Sequence, residues 1–451
     1  MATMRCPAIG FLLCLACAPV RADVAAGIAA YDAKQYEIAL REFRTAAKAG
    51  DAHAMARLGG LYRNGHGVRQ DSAQAMQWYR TADAAGDGRG SLGIGLLHER
   101  GQGVAKNPAE AQKWYRRAAE RKVGLAYYLL GVARREGSGG AKRDAARALA
   151  LFQEGVALGD ESSVNAVGAA YLAGEGVAKD EAEARRWFQR SADAGDTTGM
   201  YVLGVMLRDG QGGSVDEIAA ASWMRRAATK GDADAQVVLG QMYMEGLGVP
   251  RDAAQGMEWY RKSAKQGNGD AHNQLAAELY RGKRVTADLS QAKIHARAAA
   301  DQGNSDAQGL LASILFAEAQ ESAAPDFSEV LALARASAEQ KNANGEFLYG
   351  LYLFAGYGGA AKDLDAALPL FVSAAKKGHE GAKCMIDSGL ATGQFKRGDL
   401  DFAEWPDILK ALDRANSPEC REWGLYAKIG FDARIGKRPS AAEPRSSTAK
   451  K

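Results

Sequence analysis

Five short glycine phrases are the first candidates for chemistry in this sequence of 451 residues: "RNGHGV" ending at Val68, then "RGQGV", "AGEGV", "DGQGG" and "EGLGV". A glycine-rich loop presenting a histidine could cradle a phosphate on its backbone N–H groups. Each phrase, however, follows a helical pattern rather than a strand, so the dinucleotide fingerprint fails on context. The middle residue is His66, Gln102, Glu175, Gln211 and Leu247 in turn. A ligand site would not accept that range, and a turn would. The six histidines (His53, His66, His98, His272, His295 and His379) include no pair at one-turn spacing and no His-Glu-x-x-His. No Gly-x-Ser-x-Gly elbow is present. The stretch Gly430 to Arg438, "GFDARIGKR", is one residue too long for a phosphate loop and has Arg where Ser or Thr would hold magnesium. The sequence therefore predicts no catalytic, cofactor-binding or metal-binding residues and a chain that is not an enzyme.

Cysteine usage adds one structural candidate. Cys6, Cys14 and Cys17 lie in the first residues, and only Cys384 and Cys420 follow them. The later two form a disulfide candidate that would close a loop of about 37 residues and stabilise by about 3–4 kcal/mol on the chain-entropy estimate. Two buried free thiols are the alternative.

Composition narrows the class of protein. Gly accounts for 53 residues and Pro for only 10, which fits turns spread at intervals among helices. The formal net charge is +4. It is concentrated in the tail, where residues 434–451 hold six Lys/Arg and one acid. The rest is nearly neutral, so no field draws in a nucleic acid. Residues 1–22 read as an export signal: Arg5, the apolar run Ile9 to Ala18, and Val20-Arg21-Ala22 before the cut. That run is too short to span a bilayer. The expected location is periplasmic, with secretion, or a lipoprotein anchored through Cys17, as alternatives.

Aligning the glycine phrases exposes a period. Repeats begin at Asp51, Asp87, Val123, Asp160, Asp196, Asp232, Asn268, Asn304 and Asn342, 36 to 38 residues apart. The cleanest copy is "DADAQVVLGQMYMEGLGVPRDAAQGMEWYRKSAKQG", from Asp232 to Gly267. Its first helix starts after the cap Asp232 and carries Ala235, Val238, Leu239, Met242 and Tyr243 at helical spacing. Gly246 and Gly248 end that helix. Asp252 opens a second, with Met257, Trp259, Tyr260 and Ala264. The same positions recur as Gly59, Gly65, Gly67, Trp78 and Tyr79 in the first copy and as Gly240 within the helix of the best one. A glycine inside a helix costs about 1 kcal/mol against Ala, so its repeated use implies close helix approach. The aromatic pair, Trp78-Tyr79 to Trp259-Tyr260, reads as core.

Such an array is an α-solenoid whose hairpins bury their faces against neighbours. The small-x-x-Leu-Gly-x-x-Tyr, Gly-x-Gly-Val and Ala-x-x-Trp-Tyr-x-x-Ala-Ala signatures resemble the Sel-1-like repeat family, relatives of the tetratricopeptide repeats. The resemblance implies an all-α fold, a right-handed α-α superhelix of about nine to eleven helix-turn-helix repeats. Domain limits follow: 1–22 signal peptide, 23–50 a tetratricopeptide-like hairpin, 51–378 the array, 379–433 a divergent cap, 434–451 a disordered basic tail.

The resemblance also implies a non-enzymatic scaffold or adaptor binding proteins in the cell envelope, in assembly or signalling. A glycan- or peptidoglycan-binding module is the alternative that the aromatic column raises. A β-lactamase-like hydrolase is a further one, weakened because this chain lacks the cysteine pair per repeat of that subgroup. The third and seventh positions of the first helices give a series of mixed sign. That series fits a protein partner of mixed chemistry better than a highly acidic or phosphorylated one. The tail could add weak contact with an anionic surface. No nucleic-acid partner and no transmembrane segment are expected.

Overall fold

A computed structural model describes residues 24–321, 326–356, 362–391 and 393–395. Twenty-one helices and no strand are found among them. The chain divides into two compact units, Met1–Asp216 and Glu217–Lys451. Both have the same construction.

The first unit holds α1 (Val24–Asp32), α2 (Tyr36–Lys48), α3 (Ala52–Asn64), α4 (Ser72–Ala84), α5 (Gly88–Arg100), α6 (Pro108–Glu120), α7 (Gly124–Glu136), α8 (Ala145–Ala157), α9 (Glu161–Ala173), α10 (Glu181–Asp193) and α11 (Thr197–Asp209). The second holds α12 (Glu217–Thr229), α13 (Ala233–Glu245), α14 (Ala253–Ala264), α15 (Gly269–Arg281), α16 (Leu289–Ala300), α17 (Ser305–Glu321), α18 (Ser328–Glu339), α19 (Ala343–Ala355), α20 (Leu364–Lys376) and α21 (Glu380–Ala391). Within each unit every helix packs against its neighbours in sequence, and α3 also touches α5, and α7 touches α9. First helices of successive repeats therefore stand side by side.

Helix ends follow from their residues. Asp51 accepts from the Ala54 N–H at 2.8 Å, and Asp232 does the same for Ala235 at 2.8 Å, so each cap satisfies an orphan donor. At the other end Gly65 adopts φ +73° and returns its N–H to the Leu61 carbonyl, the left-handed stop that glycine allows at low cost. Where the loop glycines are missing, the helix runs on. The copy from Asn304 reads "AEAQESAAPDFSE" there, and α17 extends over 17 residues where most helices have 13. The degenerate loop "RGKRVTAD" keeps Gly282 at φ +60° and stops α15 on schedule.

The core is a series of clusters along the array, each shared by consecutive helices. Ala39, Leu40, Phe43, Leu58 and Leu61 make the first, and Phe347, Leu351, Phe371 and Ile386 belong to the last. Alanine recurs in these clusters, so helices approach closely and each repeat depends on the next. The caps also mark position along the chain. In the second unit Asn268 and Asn304 donate from their amides to Asp234 and Asp270 of the preceding repeats, at 2.8 and 3.0 Å. An Asp cap could not donate there, which accounts for the change from Asp to Asn.

The stretch expected to be a signal peptide (1–22), the basic tail (434–451) and Cys17 lie outside the described residues, as does nearly all of the expected cap (379–433) beyond α21. None of the described helices is long and apolar enough to cross a membrane.

Candidate functional site

The glycines of the loops have backbone tasks. Gly65 and Gly246 are left-handed caps, at φ +73° and +81°. Their partners Gly67 and Gly248 do a second thing. A Cβ on Gly67 would stand 2.8 Å from the Tyr36 carbonyl carbon and oxygen, at the start of α2. Gly103 meets the Ser72 Cβ at 2.6 Å, and Gly248 meets the carbonyl of Glu217. Each loop thus sits on the first turn of the previous repeat's second helix. The backbone that a phosphate would need is already covered.

His66 is used locally. Its ring stacks on Tyr36 with centroids 4.4 Å apart and its Nδ1 lies 3.2 Å from the Tyr31 hydroxyl. At the sister loops the residue in the place of Tyr36 is Ser72, Ala145, Glu181 or Glu217, and those loops accordingly carry other residues.

The aromatic pair divides between two environments, which corrects its reading as core throughout. Tyr79 and Tyr260 are buried, and Tyr115, Phe188 and Met224 are buried in the same column. Trp78, Trp114, Trp187, Trp223 and Trp259 are only half-buried. Adjacent helical residues point about 100° apart, so only the second of the pair can enter the cleft over the helix glycine. The outer face of four tryptophans is covered by a cation one turn on. Arg226 lies 4.0 Å over Trp223 and Lys262 4.1 Å over Trp259, with Arg117 and Arg190 farther off, over Trp114 and Trp187.

Two polar groupings emerge that spacing did not reveal. Asp83 is buried and accepts from Ser91, from Arg117 Nε at 2.9 Å and from Arg121 Nη1 at 2.6 Å, tying α4, α5 and α6 together. Burial pushes its carboxyl up, but the hydrogen bonds of Ser91 and Arg117 and both guanidinium charges outweigh this and hold it below the usual value. His272 and His295, 23 residues apart, meet at Nδ1–Nδ1 2.9 Å between α15 and α16. Among the described residues no group of three or more metal-type ligands accompanies them. Cys384 is buried in α21 and disulfide-bonded, while Cys420 lies outside the described residues.

A groove of about 380 Å³ opens on the first helices of the first unit. Ala56, Arg57, Gly60, Arg63 and Asn64 of α3 form one wall, and Arg89, Leu92, Gly93 and Leu96 of α5 the opposite one. Leu125 of α7 continues the apolar floor, and Tyr31 and Phe43 of the N-terminal hairpin close one end. Its formation is traceable to glycine. Gly60 occupies the position that Leu96 fills in the next repeat, and Gly93 leaves room for the Tyr79 ring.

Polar groups in the groove are unbalanced. The lining includes three arginines and no acid. Arg57 donates to the His53 ring at 3.1 Å and Arg63 to the Asn64 amide oxygen at 3.2 Å. Arg89 reaches Asp87 only at 3.4 Å, with half its side chain exposed. Burial, Arg89 and Arg57 all push the His53 pKa below its ordinary value, so the ring is neutral at pH 7.

The repeat itself is a known one. The family model described as Sel1 repeat matches residues 52–87, 91–123, 124–160, 162–196, 197–232, 233–268, 269–304 and 343–379, well over half of the chain. The chain belongs to the Sel1 repeat family. The gap in the Sel1 matches, 305–342, is where α17 overruns and the loop glycines are missing. Among solved Sel1-type structures, the protective antigen c5321 of uropathogenic Escherichia coli strains, which displays an SLR fold, is 26% identical with TM-score 0.54. That match covers 90% of this chain and 98% of the antigen. A Sel1 repeat protein from Oxalobacter formigenes is 31% identical over 54% of this chain and 100% of its own, with TM-score 0.49. No curated protein matches. Sel1 solenoids are all-α, tetratricopeptide-like, and typically serve as protein-interaction scaffolds.

Proposed function

We propose that this Sel1 repeat chain is an exported, non-catalytic scaffold whose first unit holds a protein partner in the groove between α3 and α5. The observation that carries this reading is the groove itself. It lies on neighbouring first helices, is walled by variable repeat positions and combines an apolar floor with undercommitted arginines. Concave sites with an apolar lining and a few oriented polar groups are what ligands use. The tryptophan column gives less to a sugar, because cations already stack on four of its five rings.

Gly60→Leu is the selective test. A Cβ at Gly60 meets only the Tyr79 hydroxyl, at 3.8 Å, so a larger side chain enters the groove without disturbing the hairpin. Wild-type protein should retain a discrete partner from envelope fractions, and Gly60→Leu should lose it while keeping its helical circular dichroism. Equal retention by both would remove the groove from the account.

Export rests on residues 1–22. Mass spectrometry of the protein isolated from cells should give an N-terminus at Asp23. A lipid-modified Cys17 would move the protein to a membrane anchor, and an intact Met1 would contradict export.

A further inference from the structure

The chemistry of the groove selects among partners, and this selection rests on the scaffold reading above. The third and seventh positions of the first three repeats are His53 and Arg57, Arg89 and Gly93, Leu125 and Leu129. In the second unit the third positions are Asp234, Asp270, Asp306 and Asn344. Asp234 and Asp270 are already engaged by asparagine caps. Taken together the series looks mixed. Taken over α3, α5 and α7 alone, it is basic and apolar.

The three arginines stand around one floor. Arg57 and Arg63 leave the same helix on either side of Gly60, and Arg89 faces them from α5. Among the described residues no carboxylate pairs with Arg57 or Arg63. Guanidinium groups present a planar fork that matches a carboxylate, and their present partners are an imidazole and an amide. Leu92, Leu96 and Leu125 lie below them with the Tyr79 ring, a surface suited to a bulky apolar side chain. The volume of about 380 Å³ fits one such side chain and its flanking backbone. We infer that the groove takes a peptide segment in which Asp or Glu residues flank a single large apolar side chain. The arginines receive the carboxylates, and the gap left by Gly60 receives the apolar group.

Three synthetic peptides of equal length test this against the full chain by fluorescence polarisation. One has acids around a Leu-Phe centre, one has Lys and Arg around the same centre, and one has the acids around Gly-Ser. The first should bind at least tenfold more tightly than either control, and more weakly as salt rises. Arg57→Gln and Arg89→Gln should each weaken it about tenfold, Gly60→Leu should abolish it, and Arg116→Gln on α6 should leave it unchanged. Binding should also raise the His53 pKa in NMR titration, because an anion offsets the two guanidinium charges beside the ring.

Tighter binding of the basic peptide, or no effect of the arginine variants, would overturn the choice of ligand. If groove-dependent binding then persists with another peptide, the scaffold reading stands without it. If the acid–Gly-Ser peptide or anionic vesicles bind as well as the first peptide, the site is a simple anion patch and the inference fails. No binding by any of these, together with equal partner retention by Gly60→Leu, would end both readings.

Discussion

Gly59 of α3 lies directly beneath the ring of Tyr79 of α4. A Cβ built on Gly59 would stand 2.6 Å from two ring carbons, closer than real contacts allow. The pairing repeats as Gly95 with Tyr115, Gly131 with Phe152, Gly240 with Tyr260 and Gly350 with Phe371, at 2.5 to 2.8 Å. It also opens the chain, where Gly27 takes the Phe43 ring at 2.5 Å. In these hairpins one glycine and one ring set the closest approach, and Tyr79 also lies against Gly93 of the next repeat.

Adjacent glycines in α3 should therefore respond oppositely. Gly59→Ala drives a methyl into the Tyr79 ring and should cost about 1–3 kcal/mol, the usual range for overpacking. Gly60→Ala finds open space and a helical backbone, and should stabilise by about 0.5–1 kcal/mol. Urea denaturation of the two variants checks the pair. A loss at Gly60→Ala would show that the groove wall is tighter than described.

Lys122 and Lys341 end their helices where most repeats use glycine, and they adopt φ +59° and +60°. A side chain in this left-handed region costs about 1 kcal/mol. Lys122→Gly and Lys341→Gly should each raise stability by about that amount. Unchanged thermal midpoints would contradict the assignment.

Asp83 joins three helices through Ser91, Arg117 and Arg121. Asp83→Asn removes the charge that both guanidinium groups hold and should cost about 2 kcal/mol at pH 7, the scale of charge-assisted hydrogen bonds. Its folded pKa is depressed, so this contribution persists above the ordinary carboxylate range and is lost as pH falls below it. The difference between Asp83→Asn and wild type should shrink with acid, and a constant difference would show that the charge is not the source.

His295 supplies a pH dependence of opposite origin. Burial, His272 and Arg261 of α14 hold its pKa below 6.5, so the folded state binds fewer protons than the unfolded chain. Stability should be level above pH 6.5 and fall as acid protonates the unfolded state first. His53 and His379 are shifted the same way and add to the loss. His295→Gln should make the decline from pH 6.5 to 5 shallower, read from urea midpoints, and an unaltered slope would remove the pair from the account.

Much of the fold was legible in the sequence because each repeat spells it with few residues. Glycine at the helix C-cap, Asp or Asn at the N-cap and one aromatic over one glycine leave little choice of backbone. The pairings between repeats were not legible. Trp78 and Tyr79 look equivalent to a periodicity of 3.6, and only the position of Gly59 decides which ring goes inside. The second loop glycine serves a helix about thirty residues away. His272 and His295 meet through tertiary packing, and their spacing is silent on it. The groove was hidden for another reason. Along the whole array the variable positions are mixed in sign, whereas the feature is confined to three first helices.

The central claim is that a protein partner lies against the α3–α5 groove, and a photoreactive residue placed at Leu96 tests it most directly. Irradiation in intact cells should yield one discrete protein adduct from Leu96, lost when Gly60→Leu is added. The same probe at Arg116, on the exposed side of α6, should give none. Adducts of equal yield from both positions, or none from Leu96 in protein that is folded and exported, would contradict the account.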